Sequence, residues 1–165
     1  MVPSRVPSAL AFNHVLVRAK IGAEDLWLDG TMLGTRIGDI RDTPPFGHVL
    51  PIRKDGAELV RVALRAPARP LVDIFVDADE STSVDLPSVI RLEAVARGQL
   101  ANLLTLAGTQ LGPKEARSLY EQFLKQYVGD AQYDTLVATP DTKDGSVTIK
   151  ARGVFAPGWR TQDRK

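Results

Sequence analysis

The sequence predicts an α+β fold made mostly of antiparallel strands, with two helices. Three observations lead there. Of 165 residues, 13 are glycine and 11 are proline while only 6% are aromatic, a composition better suited to short strands and turns than to a helical bundle. Short apolar, β-branched runs recur between turn signals. Between about residues 99 and 128 the apolar spacing changes from a period of two to that of a helix.

The first run, Phe12 to Ile21, is followed by Gly22-Ala23-Glu24 and by Asp25 to Leu28 with a central Trp27, which reads as a β-hairpin. From Gly30 to Gly56 the text is rich in turn formers (Gly34, Gly38, Pro44-Pro45, Gly47, Pro51), so a long loop with short strands is expected, closed by a strand over Glu58 to Leu64. Ala66-Pro67-Ala68-Arg69-Pro70 reads as an extended, exposed linker. It divides residues 1–66 from a β-rich module, residues 67–165. The length suits one domain of ~100–200 residues or two small modules.

In the second module, Leu71 to Val76 and Val89 to Val95 read as strands around a polar stretch, Asp77 to Ser83. Leu100, Leu103, Leu104 and Ala107 fall on one helical face, predicting a helix that ends near Gly108. Gly112-Pro113 starts a second helix, Ala116, Leu119, Tyr120, Phe123, Leu124, Tyr127 and Val128 form its apolar stripe, and Gly129 stops it. Strands are expected again at Tyr133 to Ala138 and Ser146 to Phe155, joined through Asp144-Gly145.

Composition removes several functions. The formal net charge is +1 with 25% charged residues, and Lys and Arg are dispersed, so neither nucleic acid nor an anionic membrane surface is expected as a partner. No apolar run approaches the ~20 residues of a membrane-spanning helix, and the residues after Met1 do not read as a signal peptide. The chain has no cysteine, which removes disulfides, thiolate metal sites and thiol nucleophiles and leaves the redox compartment open.

His14 and Asp29 are the residues that suggest chemistry. A hairpin closing around Ile21-Gly22 sets residues whose numbers sum to 43 opposite one another, which pairs these two on one face with Cβ atoms ~4.5–5.5 Å apart. A slip of one residue would separate them. In that register the carboxylate accepts the Nδ1 proton of the imidazole and leaves Nε2 free to activate a nucleophile. On spacing alone, such a pair is more often an ordinary cross-strand polar contact than a catalytic dyad. Trp27 shares the face of Asp29, either as core or as a shield and substrate-binding wall for the pair.

Other candidates read as structural. His48 lies in a turn-rich loop without neighbours at ligand spacing, so a solvated or capping role is expected and no metal. Asp77, Asp79, Glu80 and Asp85 lack the glycine turn and the bidentate glutamate of a calcium loop and read as a solvated inter-strand loop. Asn13 is left structural. Ser4 and Ser8 have no helix start behind them and no complete activating site. No cofactor is called for.

Phe12-Asn13-His14-Val15-Leu16-Val17, a turn, and then Trp27-Leu28-Asp29-Gly30-Thr31 resembles the signature of bacterial transglutaminase-like proteins, closest to the subgroup in which that domain follows an N-terminal β-rich domain of unknown function. Gly38 with Gly47-His48-Val49-Leu50-Pro51 is similar to the segment that closes the core in that subgroup. Arg97-Gly98 and its Leu-rich helix, Lys114 to Val128, and Thr142 to Phe155 ending in Ala156-Pro157-Gly158-Trp159 resemble the β-rich region that follows the core. The resemblance implies the later part of a papain-like core in residues 1–66 and a β-rich module with a helical hairpin after it.

It further implies thiol chemistry on amides of a protein or peptide, by acyl transfer or hydrolysis, with His14 as base, Asp29 as its orienter, and periplasmic or exported placement. The family's nucleophile is a cysteine at a helix start a few tens of residues before the histidine, and here that cysteine is missing. The chain as it stands is therefore expected to be inactive. Three readings follow: a truncated or degenerate remnant, an interaction module that pairs an open sheet edge with another chain or with its own copy, and an enzyme completed by a separate polypeptide that carries the cysteine.

Overall fold

The computed structural model describes residues 12, 14–32, 36–83 and 86–156. The architecture is α+β with mostly antiparallel sheets and two helices. Two compact units, Met1–Arg69 and Pro70–Lys165, divide the chain. Ser4, Ser8, Asn13, Gly34, Asp85 and the Pro157-Gly158-Trp159 turn lie outside the described residues.

The first unit contains two small hairpins. In one, β1 (Val17–Ile21) pairs antiparallel with β2 (Glu24–Leu28), Val17 opposite Leu28 and Ile21 opposite Glu24. The paired numbers sum to 45, two more than the sequence register. The reason is local: Gly22 adopts φ of 61°, a conformation glycine takes without cost and β-branched Ile21 resists, so the turn is Gly22-Ala23 and Ile21 stays in the strand. A shift of two preserves the face of every side chain. In the other hairpin β3 (His48–Val49) pairs with β4 (Val60–Arg61), and the Val62 amide donates to the Gly47 carbonyl at 3.0 Å. His48 is thus half-buried in a strand opposite Arg61 rather than in a loop. The strand expected over Glu58 to Leu64 is reduced to two residues.

Ala68 and Arg69 of the predicted linker are tied down. The Ala68 amide donates to Asp42 at 3.1 Å and Arg69 pairs with Asp39 at 3.1 Å, so these residues are held to the first unit rather than spanning freely.

The second unit is a four-stranded antiparallel sheet of order β5-β6-β8-β7, built from β5 (Val72–Asp79), β6 (Ser88–Arg97), β7 (Ala131–Asp141) and β8 (Ser146–Phe155). Between β6 and β7 the chain forms α1 (Gly98–Gln110) and α2 (Pro113–Val128), which pack on one face of the sheet. Period-two alternation sends Leu92, Ala94, Ala96, Val147, Ile149 and Ala151 into the core beneath the helices. The opposite face carries Phe75, Arg91, Glu93, Val137, Lys150 and Arg152.

α2 matches its expected bounds, with Ala116, Tyr120, Phe123 and Leu124 buried and Tyr127 at the exposed edge of the stripe. α1 buries Ala101, Leu104 and Ala107 but leaves Leu103 54% exposed. The buried stripe is therefore rotated from the one predicted, running through Ala101 in place of Leu103. β5 runs on through Asp77 and Asp79, which belong to the strand and not to a loop. Their side chains point to the open face, where Asp77 pairs with Arg91 at 3.3 Å.

Candidate functional site

His14 and Asp29 flank the first hairpin, just before β1 and just after β2. With the observed register they are diagonal neighbours on one face rather than directly opposed, a separation within reach of long side chains. The Nε2 atom of His14 lies 2.7 Å from Oδ2 of Asp29. The sequence expectation had the carboxylate on Nδ1, so the ring is turned the other way. Nε2 is engaged and Nδ1 is the nitrogen left for another group, because the diagonal offset brings the far end of the imidazole to the carboxylate.

Asp29 is held by more than the histidine. Its other oxygen, Oδ1, accepts the Thr31 amide at 2.9 Å and the Thr31 hydroxyl at 2.7 Å. Such a turn is what an Asp-Gly-Thr step offers, since a short carboxylate can bond the backbone two residues ahead. The side chain of Asp29 is only 4% exposed and that of His14 26%. Burial pushes the Asp29 carboxyl upward, but the bonds from Thr31 and His14 outweigh it and hold the group below the usual carboxylate range. The carboxylate is thereby kept ionised and oriented toward the imidazole.

Phe46 stacks on the imidazole, with centroids 4.9 Å apart and planes inclined by 21°. It sits beyond Pro44-Pro45, where its own amide donates to the Pro44 carbonyl at 2.7 Å. Sequence reasoning missed Phe46 and the part played by Thr31. The Asp-Gly-Thr step carried a usable signal for Thr31; nothing local signals Phe46, which reaches the pair only through the fold of the loop.

Trp27 is half-buried beside Arg18, whose guanidinium lies 5.6 Å from the indole centroid and binds Asp25 through two hydrogen bonds of 3.0 and 2.9 Å. The bond from Arg18 pulls the Asp25 carboxyl down against the effect of burial, with the charges of Arg18, Lys20 and Arg65 adding to it.

Chemically, a buried ionised carboxylate on one imidazole nitrogen stabilises the imidazolium and orients the ring, so the other nitrogen can take a proton from a nucleophile. Among the described residues no group of three His, Asp or Glu side chains could hold a metal ion, and no helix is long and apolar enough to cross a membrane. No family model, no curated protein and no solved structure matches the chain.

Proposed function

We propose that the chain supplies the histidine and carboxylate of a transglutaminase-like site for acyl transfer or amide hydrolysis, that the thiol nucleophile comes from outside these 165 residues, and that the chain alone is inactive. The observation that carries this reading is the 2.7 Å bond between His14 and an Asp29 carboxylate that is buried and satisfied on its other oxygen by Thr31. An incidental surface contact needs no such support. Phe46, stacked on the ring, adds to its fixation.

The test begins with the DNA upstream of the Met1 codon. If it encodes a cysteine at a helix start, co-expression of that segment with this chain should give a thiol-dependent amidase or acyltransferase, and His14→Ala should abolish turnover. Turnover that survives His14→Ala would sink the proposal.

A second reading, a non-catalytic interaction module, is favoured by one observation. β5 is an edge strand of eight residues, a length that offers a full ladder for strand addition. Asp73, Asp77 and Asp79 along it act against indiscriminate pairing. Concentration-dependent association that is lost on introducing proline at Ile74 would support this reading.

A further inference from the structure

We infer that the cleft between the two hairpins of the first unit binds a small carboxylate. The cleft has a volume of about 170 Å³ and is lined by Arg18, Asp25, Trp27, Thr43, Arg61 and Arg65, among others. Three guanidinium groups therefore face one carboxylate. Arg18 is taken up by Asp25 through its two hydrogen bonds. Arg65 acts on Asp25 electrostatically, but no carboxylate lies within ion-pair distance of Arg65 or of Arg61 among the described residues.

Two unpaired cations lining one cleft repel each other, and an anion between them relieves that repulsion. Guanidinium groups bind carboxylate oxygens in a planar, two-pronged geometry. A cavity of about 150 Å³ takes up a benzene-sized molecule, and the cleft is of that order. A carboxylate on a short aliphatic stem has that size. The indole of Trp27, pinned by Arg18 above it, supplies a flat apolar wall for the stem, and the Thr43 hydroxyl is a further donor.

The cleft lies on the hairpin face that also carries His14 and Asp29. Trp27 precedes Asp29 by two residues, about 6.6 Å along an extended chain. On the proposed acyl-transfer reading, the bound carboxylate belongs to the substrate, such as an acidic side chain or a peptide C-terminus next to the reacting amide. That assignment rests on the reading; the binding site itself does not.

The test is a fluorescence titration of the full chain carrying Trp159→Phe, so that Trp27 alone reports. Glutarate, its neutral analogue glutaramide, and inorganic phosphate are compared at constant ionic strength. Glutarate should give a saturable change, glutaramide none, and phosphate binding at least tenfold weaker. Arg61→Gln with Arg65→Gln should weaken glutarate at least tenfold. Asp25→Asn, which removes the carboxylate competing for these cations, should tighten it severalfold, a gain that misfolding cannot produce.

No saturable change with glutarate, an equal response to glutaramide, or binding indifferent to all three substitutions would overturn the site. Phosphate binding as tightly as glutarate would overturn the choice of a carboxylate. Because the readout involves no turnover, failure here leaves the His14 and Asp29 proposal standing, and an inactive reconstituted enzyme leaves the binding result standing.

Discussion

His14 and Asp29 are joined at 2.7 Å although they sit diagonally across the hairpin, and the carboxylate of that pair is the group most exposed to a test by pH. Its folded-state pKa is held below the unfolded value of about 3.9. A depressed carboxyl contributes stability that is fully present above the unfolded value and is lost as pH falls through the folded value. The ¹³C carboxyl resonance of Asp29 should therefore titrate below the ordinary range, and should move up in a His14→Ala, Thr31→Val variant, where burial is less opposed. An unmoved midpoint would mean that these bonds do not hold the carboxylate.

Phe46 covers one side of the His14 ring. Removing it as Phe46→Ala should cost about 0.5–1.5 kcal/mol for the ring pair, in addition to the lost burial. It should also expose the imidazole. Carbethoxylation of His14 by diethyl pyrocarbonate is expected to accelerate severalfold while that of His48, the only other histidine, stays unchanged.

Gly153 faces the bulge in β7, where the register with β8 shifts between Tyr133 and Thr135. A Cβ placed there would collide with the Gln132 carbonyl and lie 2.8 Å from the Tyr133 Cα. Both are backbone atoms, so the clash cannot be relieved by turning a side chain. Gly153→Ala should cost about 1–3 kcal/mol or more, read as a lower urea midpoint for the second unit, whereas Gly38→Ala, with open space around it, should stay within about 0.5 kcal/mol.

β6, β8 and α2 were legible because alternation and stop signals are local. The hairpin register differs by two from the expected one because the turn begins at Gly22, which tolerates positive φ, and not at Ile21. Asp77 and Asp79 looked like loop because the face they point to lacks a cover, and polar residues are as acceptable there as in a turn. The His14 and Asp29 contact was legible because strand parity survives a shift of two. Phe46 was not, since its approach depends on the path of a proline-rich loop.

The α1 stripe illustrates the same point in a testable way. Leu103 and Leu104 are equivalent in a periodicity count, yet one is 54% and the other 1% exposed. Leu104→Ala should cost about 2–5 kcal/mol. Leu103→Lys should change stability by about 0.5 kcal/mol or less. Comparable losses at the two positions in denaturant titrations would contradict the observed rotation of the helix.

Gly108 and Tyr120 allow a sharper test of how α1 meets α2. The Tyr120 hydroxyl donates to the Leu104 carbonyl at 3.1 Å, and burial raises its pKa. A Cβ on Gly108 would lie 2.5 Å from that hydroxyl oxygen but 3.8 Å from the ring carbon bearing it. Tyr120→Phe alone should cost about 0.5–1.5 kcal/mol for the lost bond. Gly108→Ala alone sets the gain in helix propensity, about 1 kcal/mol, against the collision, and should be destabilising. In the Tyr120→Phe background the collision disappears and only the propensity gain remains, so the same Gly108→Ala change should become stabilising. A reversal of sign between the two backgrounds is the expected result of the double-mutant cycle, and equal effects in both would show that the hydroxyl does not approach α1 as described.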